Sequence, residues 1–115
     1  MDDLEVVFSP AARREIKKLA RDTQRLVLET LEELQKTPRP RGVEKIQGHP
    51  DFYRIKAGHD HRIIYHILRE RLLVVLVIRD RKDAYKGLDD LDGKLGAALQ
   101  SIDEQMRVNL GLGAR

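Results

Sequence analysis

Residues 53–78, YRIKAGHDHRIIYHILRERLLVVLVI, decide how this chain folds. Tyr53-Arg54-Ile55-Lys56-Ala57 alternates strictly, and residues 61–67 alternate more loosely. A period of two is what a strand needs when one face is buried, because successive side chains point to opposite faces. Gly58-His59-Asp60 between the two runs reads as a hairpin turn, and Arg69-Glu70-Arg71 as a second short turn. Residues 72–78 are apolar without interruption and rich in Val and Ile, as expected of a central strand covered on both faces.

The period changes on the N-terminal side of this block. Residues 4–8 are short and apolar, a first strand. Ser9-Pro10 then opens a helix, since Ser caps well and Pro suits the first helical position. Ala12, Ile16, Leu19 and Ala20 follow at helical spacing, with Arg13, Arg14, Lys17 and Lys18 outside them. Arg21-Asp22 interrupts the pattern, and a second helix is predicted from about Thr23 to Lys36. TPRPRG, residues 37–42, ends it with two prolines and a glycine. Beyond the sheet block, Leu88, Leu91, Leu95, Leu99, Ile102 and Met106 predict an amphipathic C-terminal helix. Gly87, Gly93 and Gly96 weaken its start, and the GLGAR end reads as frayed. Strand, helix, helix and then three or four strands describe an α+β layer: an N-terminal helical hairpin on a small, mostly antiparallel sheet, with a C-terminal helix.

At 115 residues the chain suits one compact domain with a modest core, too small for a deep cofactor cavity besides. It contains no cysteine, which excludes disulfides and thiolate chemistry and suits a reducing cytosol. The acidic start, MDDLEVVFSP, has no signal-peptide pattern, and the longest apolar run is far too short to span a membrane. A cytoplasmic protein without a membrane partner is the expectation.

The net charge of +3 is unevenly spread. Residues 53–86 carry nine Lys/Arg against four Asp/Glu, whereas residues 1–52 balance and residues 87–115 are net acidic. Strand alternation puts Arg54 and Lys56 on one face, away from Tyr53, Ile55 and Ala57. With the turn at 58–60, Arg62 falls beside them, and Arg79 and Arg81 leave the end of the apolar strand nearby. The open face of the sheet is therefore predicted to hold Arg54, Lys56, Arg62, Arg79 and Arg81, facing an anionic ligand, with nucleic acid first among the choices. The competing reading is a solvated face on which long basic side chains splay apart.

These residue types suffice for RNA cleavage without a metal. RNA brings its own nucleophile, the 2′-hydroxyl. The protein must add a base, positive charge for the phosphorane and an acid for the leaving oxygen. Arginine stabilises but is a poor base, whereas Lys56 sits between Arg54 and Arg62, where neighbouring cations favour the neutral amine. His59 and His61 lack an evident third metal ligand. His66 shares the Arg62 face, and His49 lies in a turn. No phosphate-binding glycine loop, nucleophile elbow or Ser-His-Asp spacing is present.

The chain resembles the RelE/ParE toxin superfamily from about Val6 to Lys86. FSPAARREIKKL is similar to the family's first strand and helix. VEKIQGHPDFYRIKAGHDHRIIYHI resembles its Leu-x-Gly turn, Tyr-Arg-Ile strand and Arg-x-x-Tyr strand, and LVVLVIRDRKDAYK its closing basic strand and tyrosine. The resemblance implies a toxin domain over residues 1–86, with residues 87–115 as a helical extension of the same domain. It implies a ribosome-dependent endoribonuclease of the RelE branch, with no cofactor and no metal. Its partners would be an acidic antitoxin, mRNA and the ribosomal RNA of the A site. Carried over by position, the branch's basic strand pair falls on Arg54 and Lys56, its phosphate-binding arginine on Arg62, its late arginine and general acid on Arg79, and its base-stacking tyrosine on Tyr85. Arg81, Lys82 and His61 would add RNA contacts.

Two positions depart from the branch. Arg54 stands where its prototype has lysine, which leaves Lys56 as the better base. Asp80 stands where many relatives have histidine, so His61 and Glu44 are alternative acid–base groups. The segment after Gly87 exceeds the family's usual length, and covering the groove and aiding partner binding are both open to it. The rival functions are a ParE-like DNA gyrase poison, against which Tyr85 argues, and a non-catalytic partner of an antitoxin in a repressor complex.

Overall fold

The computed structural model describes residues 3–83 and 90–110, with the side chains of the last helix to residue 102. Strand β1 (Glu5–Phe8) leads into helices α1 (Pro10–Lys18) and α2 (Arg21–Lys36). Strands β2 (Glu44–Lys45), β3 (Phe52–Ala57), β4 (His61–Leu68) and β5 (Leu72–Asp80) follow, then a single 3-10 turn at Arg81–Asp83 and helix α3 (Leu91–Leu110). The five strands form one sheet in the order β1-β5-β4-β3-β2, antiparallel except where β1 runs parallel to β5. The α+β architecture expected from the sequence is the one observed.

Ser9 caps α1 as its residue type demands: its Oγ accepts from the amide of Ala12 at 3.0 Å while its hydroxyl donates to the Leu76 carbonyl at 2.7 Å. The break between the helices falls two residues earlier than expected. Leu19 and Ala20 are extended, and α2 already starts at Arg21, with Asp22 in its first turn where an acid suits the helix dipole. The two helices do not pack chiefly on each other. α1 lies against β5, and α2 against β1 and β3.

One face of the sheet buries Tyr53, Ala57, Ile63, Tyr65, Ile67, Leu73, Val75 and Ile78 beneath Ala12, Val27, Leu31 and Leu34 of the helices. The Tyr65 hydroxyl donates to the Pro38 carbonyl at 2.7 Å, and burial holds that phenol protonated well above the ordinary range. The other face is not wholly open, contrary to the sequence expectation. Leu91, Leu95 and Ala98 of α3 pack there on Phe52, Ile64, Val74, Leu76 and Val77. The second apolar surface of β5, evident in its unbroken run, is what α3 covers.

The β4–β5 ladder carries one irregularity. Ile64 pairs with Val77 but Tyr65 pairs with Val75, so Leu76 is an extra residue in β5. Leu76 and Val77 consequently both contribute to the α3 side, and Ile78 returns to the helical-layer side with Leu73 and Val75. Among the described residues no helix is long and apolar enough to cross a membrane.

Candidate functional site

Cross-strand pairing builds the site. Lys56 of β3 faces Arg62 of β4, and Arg62 faces Arg79 of β5, giving a row of three cations across three strands. Paired residues share a face, and this row shares the face of Ile64 and Val77, beyond the patch that α3 covers. The bulge at Leu76 decides Arg79's place. With strict alternation from Leu73, position 79 would point into the α1–α2 layer; the inserted residue turns it to the side of Arg62.

Like charges directly opposite one another repel, and two carboxylates flank the row. On the β2 side Glu44 accepts from Arg54 Nη2 at 2.6 Å. Arg54, then Lys56 and Arg62, hold the Glu44 carboxyl below its ordinary range. On the β5 side Glu15 of α1 receives Arg79 Nε at 3.3 Å. Lys56 is exposed, and no described carboxylate pairs with it. Arg62 Nη1 donates to the carbonyls of His59 and His61 at 3.0 and 2.9 Å, which draws its guanidinium toward the β3–β4 turn. Arg81 reaches the same turn: its amide donates to the Asp60 carbonyl at 2.8 Å, and its Nη1 lies 3.1 Å from His59 Nε2. Lys82 is exposed, and its amide donates to Asp80 Oδ1 at 3.2 Å. A shallow cavity of about 350 Å³ opens at the Arg79 end of the row, lined by Glu15, Ile78, Arg79, Asp80 and Asp83.

The structure therefore brings together Lys56, Arg62, Arg79 and Arg81, and it separates two residues expected with them. Arg54 is on the predicted face but only 7% exposed, because the Glu44 pair allows its guanidinium to stay within the sheet rather than reach outward. His61 pairs with Ala57 and shares the side of Ala57 and Ile63, so it starts β4 on the face opposite the cation row. Tyr85 lies outside the described residues. His66 does share the Arg62 face, but it is buried against Phe52, with ring centroids 4.4 Å apart. Desolvation lowers its pKa, and its Nδ1 has no hydrogen-bond partner among the described residues. It is a core group rather than a groove group. Glu44 is ionised by its cationic neighbours, and the same stabilisation makes it a weak proton acceptor.

Sequence reasoning missed Glu15. The available signal was that it is the only acid in α1, on a helix whose other charged side chains are all basic. Among the described residues no three His, Asp or Glu groups converge in a way that could hold a metal ion.

Comparison with known proteins finds relatives that share this fold. The model for the ParE toxin of the type II toxin–antitoxin system parDE matches residues 6–85. The toxin in the intact Escherichia coli RelBE toxin–antitoxin complex is 26% identical, with a TM-score of 0.58, over 65% of this chain and 93% of that one. The archaeal RelE–RelB complex from Pyrococcus horikoshii OT3 contains a chain 26% identical, with a TM-score of 0.61, over 71% of this chain and 99% of that one. An arginine-substituted E. coli RelE in the free state shares the fold at 22% identity and a TM-score of 0.62, over 89% of this chain and 99% of that one. No curated protein sequence is detectably similar to the chain.

Proposed function

Because the chain belongs to the RelE/ParE superfamily of toxins of type II toxin–antitoxin systems, we propose that it acts as a ribosome-dependent endoribonuclease that cleaves mRNA through the 2′-hydroxyl of its substrate. The observation that carries this reading is the row Lys56–Arg62–Arg79, three cations on one face of three adjacent strands. The E. coli and Pyrococcus horikoshii complexes described above, each with a chain 26% identical, contain RelE, which supports the RelE branch over the ParE branch.

In this mechanism Lys56 takes the proton from the 2′-hydroxyl while that oxygen attacks the adjacent phosphorus. Arg62 neutralises the two non-bridging oxygens as charge grows on them. The bond to the 5′-oxygen breaks, Arg79 stabilises the departing oxygen, solvent water protonates it, and Lys56 returns its proton to the hydroxide left behind. A 2′,3′-cyclic phosphate and a free 5′-hydroxyl result. Tyr85 stacks on the base to hold the nucleotide in line, and Arg81 and Lys82 contact the flanking phosphates. The nucleophile comes from the substrate and the charge from arginine, so the reaction calls for no metal or cofactor. Glu44 holds Arg54 as a support for the strand bearing Lys56. An acidic antitoxin, a partner of the kind present in the related complexes, would neutralise this face, and the chain would act in the cytoplasm. Residues 87–115, which include α3, form part of the same domain as residues 1–86.

Primer extension on translated mRNA after induction tests the proposal. Cleavage within translated codons is expected, with loss of cleavage and toxicity in Arg62→Ala and Tyr85→Ala proteins that still fold. Growth arrest with intact transcripts rejects it. The ParE-type match over residues 6–85 favours one alternative, a poison of DNA gyrase. Gyrase-dependent DNA breaks in the same induced cells would select it.

A further inference from the structure

We propose that Glu15 is a positioning residue that sets the guanidinium of Arg79 against the reacting phosphate; this rests on the reading of Arg79 given above. Strand β1 pairs with β5 only as far as Phe8 opposite Val75, so among the described residues the last part of β5 has no strand on that side. Groups from Ser9 and from α1 take over the ladder. The Ser9 amide donates to the Val75 carbonyl at 2.9 Å, the Ser9 hydroxyl donates to the Leu76 carbonyl at 2.7 Å, and the Ile78 amide donates to Glu15 Oε1 at 2.9 Å.

Closing the edge of β5 uses one oxygen of Glu15. Its other oxygen, Oε2, receives Arg79 Nε at 3.3 Å. The two side chains are similarly half-buried, 26% and 24% exposed, and both line the cavity at the Arg79 end of the cation row. One carboxylate thus anchors the backbone next to Arg79 and the guanidinium of Arg79 itself. An exposed arginine retains much rotamer freedom. An arginine held at Nε by a group bonded to its own strand loses most of that freedom before substrate arrives, which is the form of preorganisation that raises a rate constant rather than an affinity. A neutral acceptor would still serve the Ile78 amide, because a glutamine carbonyl accepts as a carboxylate does. It would hold the guanidinium less firmly, since the charge assistance is gone.

Single-turnover cleavage of mRNA on programmed ribosomes, with Glu15→Gln, Arg79→Ala and the double variant, tests this. Affinity for a 2′-deoxy substrate analogue is measured in parallel. Glu15→Gln is expected to slow cleavage about tenfold or more, a loss typical of a misplaced group, while affinity changes less than threefold. It should add nothing in the Arg79→Ala background, because its effect acts through Arg79. A purely structural role predicts equal losses in both backgrounds, and that result overturns the proposal. Full-rate cleavage by Glu15→Gln beside an inactive Arg79→Ala overturns it alone, whereas full-rate Arg79→Ala overturns the assignment of Arg79 as well. The unsubstituted protein offers a second readout. The Arg79 Nε–H resonance should be displaced from the random-coil position and slow to exchange with solvent; a freely exchanging signal at the random-coil position also overturns the proposal.

Discussion

Replacing Glu44 by glutamine should destabilise the fold, and it should do so only where glutamate is charged. Arg54 Nη2 lies 2.6 Å from Glu44, but the two ends of the pair differ: the Arg54 side chain is 8% exposed and that of Glu44 is 61% exposed. Fully exposed pairs are worth about 0.2–1 kcal/mol, and breaking fully buried ones costs about 3–5 kcal/mol. With a desolvated guanidinium and a solvated, screened carboxylate, and with the glutamine oxygen still able to accept, about 1–2 kcal/mol is expected. For a domain of this size that is a fall in Tm of about 4–8 °C. The pH dependence follows from the sign of the shift. Cationic neighbours, Arg54 first, lower the Glu44 pKa from its ordinary value of 4.5, so the pair's contribution is fully present above that value and is lost as pH falls through the depressed folded value. Thermal unfolding followed by circular dichroism at pH 7 and at stepwise lower pH reads both effects. The gap between the two proteins should be largest at neutral pH and close on acidification. Equal stabilities at pH 7, or a gap that persists into acid, would refute the argument that Arg54 is held within the sheet by the charge of Glu44.

The buried His66 has its pKa lowered from 6.5 by desolvation, so the unfolded chain binds the extra proton first and stability falls as pH drops below that value. A His66→Phe protein should lose less Tm between pH 7.5 and pH 5 than the unsubstituted chain, the difference being at most about 1.4 kcal/mol per pH unit; parallel pH profiles would contradict this. Gly58→Ala should cost about 1–3 kcal/mol in urea unfolding, because φ is +70° there and a Cβ would collide with Leu26 Cδ2; an unchanged midpoint would show that the turn relaxes. Leu91 is fully buried between α3 and the sheet, so Leu91→Ala should cost about 2–5 kcal/mol. A loss under 1 kcal/mol would mean that α3 contributes little to the folded state.

Much of this molecule is written locally. Alternation in residues 53–57, a glycine turn, and an unbroken apolar run at 72–78 specify three neighbouring antiparallel strands, since each signal depends only on side chains a few positions apart. Ser9-Pro10 specifies a helix start for the same reason. Pairing Lys56 with Arg62 needs only the turn between them. The rest depends on groups distant in the chain. The extra residue at Leu76 carries no glycine or proline to announce it, and only the paired strands reveal that it turns Arg79 to the side of Arg62. Arg54 differs from Lys56 not in its strand position but in having Glu44 beside it on a two-residue strand too short to show a period. Glu15 meets Arg79 across a sequence separation of 64 residues, at a strand edge that exists because β1 stops early. Periodicity reports which way a side chain points relative to its own element; what it meets there is set by where the other elements pack, which no short window of sequence contains.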